Sequence, residues 1–140
     1  MRALLDMEQT TKIGIIAGGG KLPQVIINSC QKSGKEPFII AIDNEFDGYD
    51  QLASTPHITI NIAAAGKAIK YLKKENIKDI IFVGTLKRPA LSSLRPDAAG
   101  VQLLAKISKS KITGDNKLLS IIADFFTEKK FSVVGIDDVA

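Results

Sequence analysis

Two glycine-bearing turns hold most of the residues able to do chemistry. GGGKLP at 18–23 sets side-chain-free backbone at Gly18, Gly19 and Gly20 beside a mobile cation, Lys21, and leads into a helix through Leu22 and Pro23. A helix N-terminus presents unpaired N–H groups and a partial positive charge, and glycine lets an anion or a sugar approach them. GTLKRP at 84–89 joins Gly84 to a hydroxyl on Thr85 and two adjacent cations, Lys87 and Arg88, ahead of Pro89. Arginine offers a planar fork of donors suited to phosphate, and lysine a compact charge. The competing role for the glycines is to make the strand-to-helix turn and nothing more.

The first turn is not a dinucleotide loop. That fingerprint needs G-x-G-x-x-G, and here Gly18 and Gly20 are followed by Pro23 where the third glycine belongs. Asp43 stands near the place of a ribose-binding acid, but half a motif does not make the site. A P-loop is excluded, because no G-x-x-x-x-G-K-[ST] occurs. Arg95 and Asp97 flank Pro96 and are spaced to pair with each other, which adds little stability if they are exposed. Asp115 opens a helical stretch and reads as an N-cap. Asp137 and Asp138 read as solvated carboxylates, and the single histidine, His57, has no partner pattern for general-base work. No residue of this chain stands out as catalytic or as a metal ligand.

These turns need strands to position them. KIGIIA at 12–17, PFIIAI at 37–42 and DIIFVG at 79–84 read as short, buried parallel strands. HITINI is a weaker extended segment, and FSVVGI closes the series. Helices are expected from Pro23 to about Ser33, with Gly34 past the end, then over 64–75, 98–109 and 115–130. In the first, Leu22, Val25, Ile26 and Cys30 fall on one face. Between these elements lie a polar loop, DNEFDGYD, and a long connection, TLKRPALSSLRPDAAG, of the kind that carries function on a rigid scaffold. Alternating strands and helices imply parallel pairing through crossovers, hence an α/β, Rossmann-like three-layer domain with a mainly parallel sheet of about five strands. Both chemical turns then fall at the carboxyl edge of that sheet, where such folds bind ligands.

Composition narrows the function classes. A chain of 140 residues with 45% hydrophobic and 24% charged residues is an ordinary globular domain. Residues 1–11 are expected to be a flexible leader and 12–136 the domain. No apolar run reaches the length of a membrane span, so a cytoplasmic place is expected. The net charge of +4 is spread over lysines such as Lys73, Lys74, Lys129 and Lys130, and KISKSK at 106–111 is the densest cluster, read as a solvated helix end. With no aromatic strand motif and no zinc pattern, nucleic acid is not an expected partner. Cys30 stands alone and reads as a small buried hydrophobe.

In order along the chain, IAGGGKLP, VGTLKRP, LRPD, GDNKLLSIIADFF and FSVVG resemble the amino-terminal domain of the LpxI family over about residues 12–135. The resemblance implies a UDP-2,3-diacylglucosamine pyrophosphatase of Gram-negative lipid A synthesis, hydrolysing its substrate with Mg2+ to lipid X and UMP. It implies that Gly18, Gly20, Leu22 and Pro23 shape one wall of the ligand cleft and Gly84, Thr85, Lys87 and Arg88 another. Arg95 and Asp97 match a family motif whose role the sequence does not assign. Family members are longer and carry the essential acidic, metal-associated residue in a second, C-terminal domain. On that basis residues 137–140 begin the linker to an absent domain, and this chain is a substrate-binding half, inactive alone, with no metal bound. Its expected partners are UDP-diacylglucosamine or lipid X, the missing domain, a second copy through an uncovered apolar face, and the inner face of the inner membrane. The alternatives are a stand-alone nucleotide-binding or regulatory module and a non-catalytic remnant that only associates.

Overall fold

The computed structural model describes residues 12–43, 45–48, 50, 52, 55–61, 63–85, 96–109 and 115–134, without the side chains of 108, 109, 115–119 and 134. Its strands are β1 (Lys12–Ala17), β2 (Glu36–Ile42), β3 (His57–Ile60), β4 (Asp79–Val83) and β5 (Ser132–Val134). Its helices are α1 (Leu22–Lys32), α2 (Ala65–Lys74), α3 (Ala98–Lys109) and α4 (Asp115–Glu128). The strands form one sheet in the order β3-β2-β1-β4-β5. Every pairing is parallel, for example Ile15 opposite both Ile39 and Ile81.

Alternation along the central strands divides the core into two layers. Ile13, Ile15, Ala17, Ile39, Ala41, Ile81 and Val83 face α1 and pack with Ile26, Ile27 and Cys30. Ile16, Phe38, Ile40, Ile42 and Ile80 face the other way, onto Leu72, Leu103, Ile107, Ile122 and Phe125 of α2, α3 and α4. A strand buried on both faces must be apolar at nearly every position. That is why KIGIIA and PFIIAI read as unbroken runs. The result is the three-layer α/β, Rossmann-like arrangement expected from the sequence.

The face of α1 differs from the sequence expectation. Its buried residues are Pro23, Ile26, Ile27 and Cys30, while Leu22 and Val25 are 47% and 57% exposed. Two stripes at helical spacing compete in LPQVIINSCQK, and the helix is turned to the one that seats the Pro23 ring against Gly84. The segment between β2 and β3 also holds two anchors: Phe46, within the polar loop, and Leu52, just past it, are buried in the α1 layer. Cys30 is buried as expected, and burial pushes its thiol pKa up despite nearby Lys35.

Helix ends follow one device. After α1, Lys35 N–H donates to the Cys30 carbonyl; after α2, Ile77 N–H to Leu72; after α4, Phe131 N–H to Phe126. Each needs a left-handed residue just before it, supplied by Gly34, Asn76 and Lys130 with φ of 80°, 60° and 79°. Glycine and asparagine are the usual occupants of such a position. Lysine is not.

Candidate functional site

The strand order reverses between β1 and β4, since the chain runs outward through β2 and β3 and returns to β4 on the other side of β1. In open parallel sheets that switch point opens a crevice at the carboxyl edge. Both chemical turns leave the sheet there, and they are joined to each other. Gly18 N–H donates to the Val83 carbonyl at 2.9 Å, Gly19 N–H to Thr85 at 2.9 Å, and Thr85 N–H back to Gly19 at 3.1 Å. This is a short antiparallel bridge, Gly19 to Thr85, set across an otherwise parallel sheet.

The glycines are what permit it. A Cβ on Gly18 would run into the Thr85 carbonyl oxygen, and one on Gly19 would sit 2.8 Å from the Glu45 oxygen. Gly84 combines φ of 98° with a would-be Cβ 2.7 Å from the Gly19 oxygen and 2.9 Å from Pro23 Cγ. Main-chain atoms cannot move aside as a flexible side chain can, so these positions serve backbone-to-backbone approach. The Gly18 and Gly19 donors are therefore committed to the fold.

Gly20 is different. Its φ is 91°, a Cβ there would meet nothing within 4 Å, and its N–H donates to Asp47 Oδ2 at 3.1 Å. Lys21 follows as the N-cap of α1, exposed, and its side chain makes no capping hydrogen bond. Gly20, Lys21, Leu22 and Thr85 form the exposed rim, with Pro23 and Gly84 set behind them. Lys87, Arg88 and Arg95 lie outside the described residues, as do Asp137 and Asp138. Among the described residues, the structure thus brings together a clasp of two turns with an open glycine, Gly20, and a cation, Lys21, at its lip.

The residue whose role the sequence reading missed is Asp97. Its Oδ1 accepts N–H groups from Gly66 at 3.0 Å and Gly100 at 2.8 Å, and its Oδ2 accepts from Lys67 at 2.9 Å. Its carbonyl also accepts the Val101 N–H that opens α3. One carboxylate therefore caps two helices, α2 and α3. Burial raises its pKa, but the N–H groups of Gly100, Gly66 and Lys67 outweigh that and leave it below the usual aspartate value. Asp97 followed by AAG at the start of a helical stretch was the available signal. His57 is at the sheet edge, its Nδ1 2.9 Å from the Thr55 carbonyl.

Among the described residues, no group of three or more His, Cys, Asp or Glu side chains is placed to hold a metal ion. Among the same residues, no helix is long and apolar enough to cross a membrane.

Residues 12–140 match the LpxI N-terminal domain. The chain belongs to that family. Among curated proteins, UDP-2,3-diacylglucosamine pyrophosphatase LpxI of Caulobacter vibrioides is 31% identical to it over 128 residues. The match covers 91% of this LpxI-family chain and 45% of that relative, so the chain spans a little under half the relative's length.

Proposed function

We propose that this chain is the substrate-binding half of a UDP-2,3-diacylglucosamine pyrophosphatase, in which water attacks the phosphorus nearer uridine and releases lipid X and UMP. The observation that carries the reading is the family match over the domain, together with a relative bearing that activity. The geometry supports it in a limited and specific way. The clasp between Gly19 and Thr85 fixes two turns at the switch point, where ligands of such sheets bind. Gly20 and Lys21 offer a position free of side chain and a cation to a phosphoryl group or sugar, with exposed Thr85 on the same rim.

The metal of this reading is assigned to the longer enzyme, since no group of three or more His, Cys, Asp or Glu among the described residues is placed to hold one. When bound in the longer enzyme, Mg2+ supplies neutralisation of charge on the phosphoryl oxygens. This chain's part is to hold and orient the substrate. Its remaining partners in this reading are the second domain, which closes the crevice, and a second copy or the inner face of the inner membrane, where a diacylated substrate resides.

The test is hydrolysis. Purified chain given UDP-2,3-diacylglucosamine and Mg2+ should turn over little or nothing, and activity should return when the remaining part of a full-length relative is added in trans. Robust turnover by the chain alone would overturn the assignment of a binding half.

A further inference from the structure

At the edge of the sheet opposite the glycine clasp, where β4 and β5 begin, lies a groove of about 280 Å³. Lys73, Lys78, Lys129 and Lys130 line it over the apolar side chains of Ile77 and Phe131, and no carboxylate is among its lining residues. We propose that this groove is a second, separate binding site for a small phosphate-bearing anion.

Part of the lysine pattern has an ordinary explanation. Lys73 sits in the last turn of α2, and Lys129 follows α4, where cations complement the helix dipole. Lys129 is further occupied, its Nζ bonded to Gln102 at 2.9 Å and 5.3 Å above the Phe125 ring. A helix end accounts neither for Lys78 nor for the backbone conformation of Lys130. Lys78 stands after α2 has ended, one residue before β4. Lys130 holds φ of 79°, a left-handed conformation that disfavours any side chain, at the position filled by Gly34 after α1 and Asn76 after α2. A strained lysine where glycine serves better is an outlier that asks for a functional reason. Here the strained residue brings one more ammonium to the groove.

The acids nearest to it in sequence are not among its lining residues. Glu75, Asp79 and Glu128 lie on the same turns but outside the groove's lining, and Glu128 pairs with Lys106 at 3.2 Å. Gathered like charges with no carboxylate between them favour a multiply charged anion, and a groove of this size suits a small one. Phosphate in solution and the phosphate of a lipid headgroup share this chemistry.

Two probes separate the sources: pyrophosphate, followed by amide shifts of residues 76–78 and 129–131, and cosedimentation with phosphatidylglycerol vesicles. Lys130→Gly relieves the strained φ, so it should hold or raise the melting temperature while weakening the bound probe at least about fivefold. Lys78→Gln should weaken it similarly. Pyrophosphate binding lost in both variants assigns a solution anion, and vesicle binding lost in both assigns a headgroup. If neither probe binds, if Lys130→Gly binds as the parent does, or if chloride shifts the same amides equally, the site does not exist. Activity at the glycine clasp plays no part in these readouts.

Discussion

Gly19 and Thr85 exchange two backbone hydrogen bonds, one in each direction, and so lock the turn after β1 to the turn after β4. The bridge makes the two chemical motifs one structural unit. It also divides the glycines into those that build the site and one that faces out from it.

That division is measurable. Gly84→Ala places a Cβ against the main chain of Gly19 at φ of 98°, with no room to relax, and should destabilise the fold by about 2 kcal/mol or more. Gly20→Ala has the same strained sign of φ but open space, and should cost only about 1 kcal/mol. Denaturant unfolding of both variants checks the difference. Equal costs would mean that the clasp is not tight.

Much of this arrangement was legible beforehand, for definite reasons. Strands buried on both faces must be apolar throughout, so the limits of β1 read directly from KIGIIA. Both turns were placed at the carboxyl edge by the strand-helix alternation alone. Contacts between distant segments were not legible. Nothing local to GGGKLP says that Gly18 and Gly19 give their donors to residues 83 and 85, or that Asp97 reaches back to Gly66. Nor does spacing alone decide between the Leu22/Val25 stripe and the Pro23/Ile27 stripe of α1, because the partner surface decides it.

Asp97 predicts a pH dependence. Its folded pKa is depressed, so its contribution is complete above the unfolded aspartate value of about 3.9 and is lost as pH falls through the folded one. Asp97→Ala removes a cap shared by two helices and should cost about 2–3 kcal/mol near neutrality. As pH falls through that folded pKa the parent and variant should converge. Urea unfolding across pH shows this, and a constant gap would place the cost elsewhere.

Tyr71 predicts the opposite edge of the pH range. Burial, and next Glu75, push its phenol up to about 12, and its ring lies 6.3 Å from Phe38. Its contribution to stability is complete below the ordinary tyrosine pKa of about 10 and fades as pH climbs toward the folded value. Ultraviolet titration should show a late phenolate transition that Tyr71→Phe abolishes. A transition near the ordinary value that Tyr71→Phe removes would contradict the burial.

Asp47 stands where an anionic ligand would meet Gly20. It is exposed, so Asp47→Ala should change stability by less than about 0.5 kcal/mol. With its carboxylate gone, the Gly20 N–H is released and UMP should bind more tightly. Calorimetric titration of parent and variant decides it, and weaker binding would show that Asp47 shapes the turn for its ligand.

In the proposed function, the clasp at the switch point binds the diacylated sugar phosphate. A thermal-shift titration of the chain with lipid X, UMP and NAD, each with and without Mg2+, tests it most directly, because a ligand that binds only the folded state raises the melting temperature with concentration. A saturable rise with lipid X that Gly20→Ala diminishes is expected. A rise with NAD and none with lipid X would contradict it.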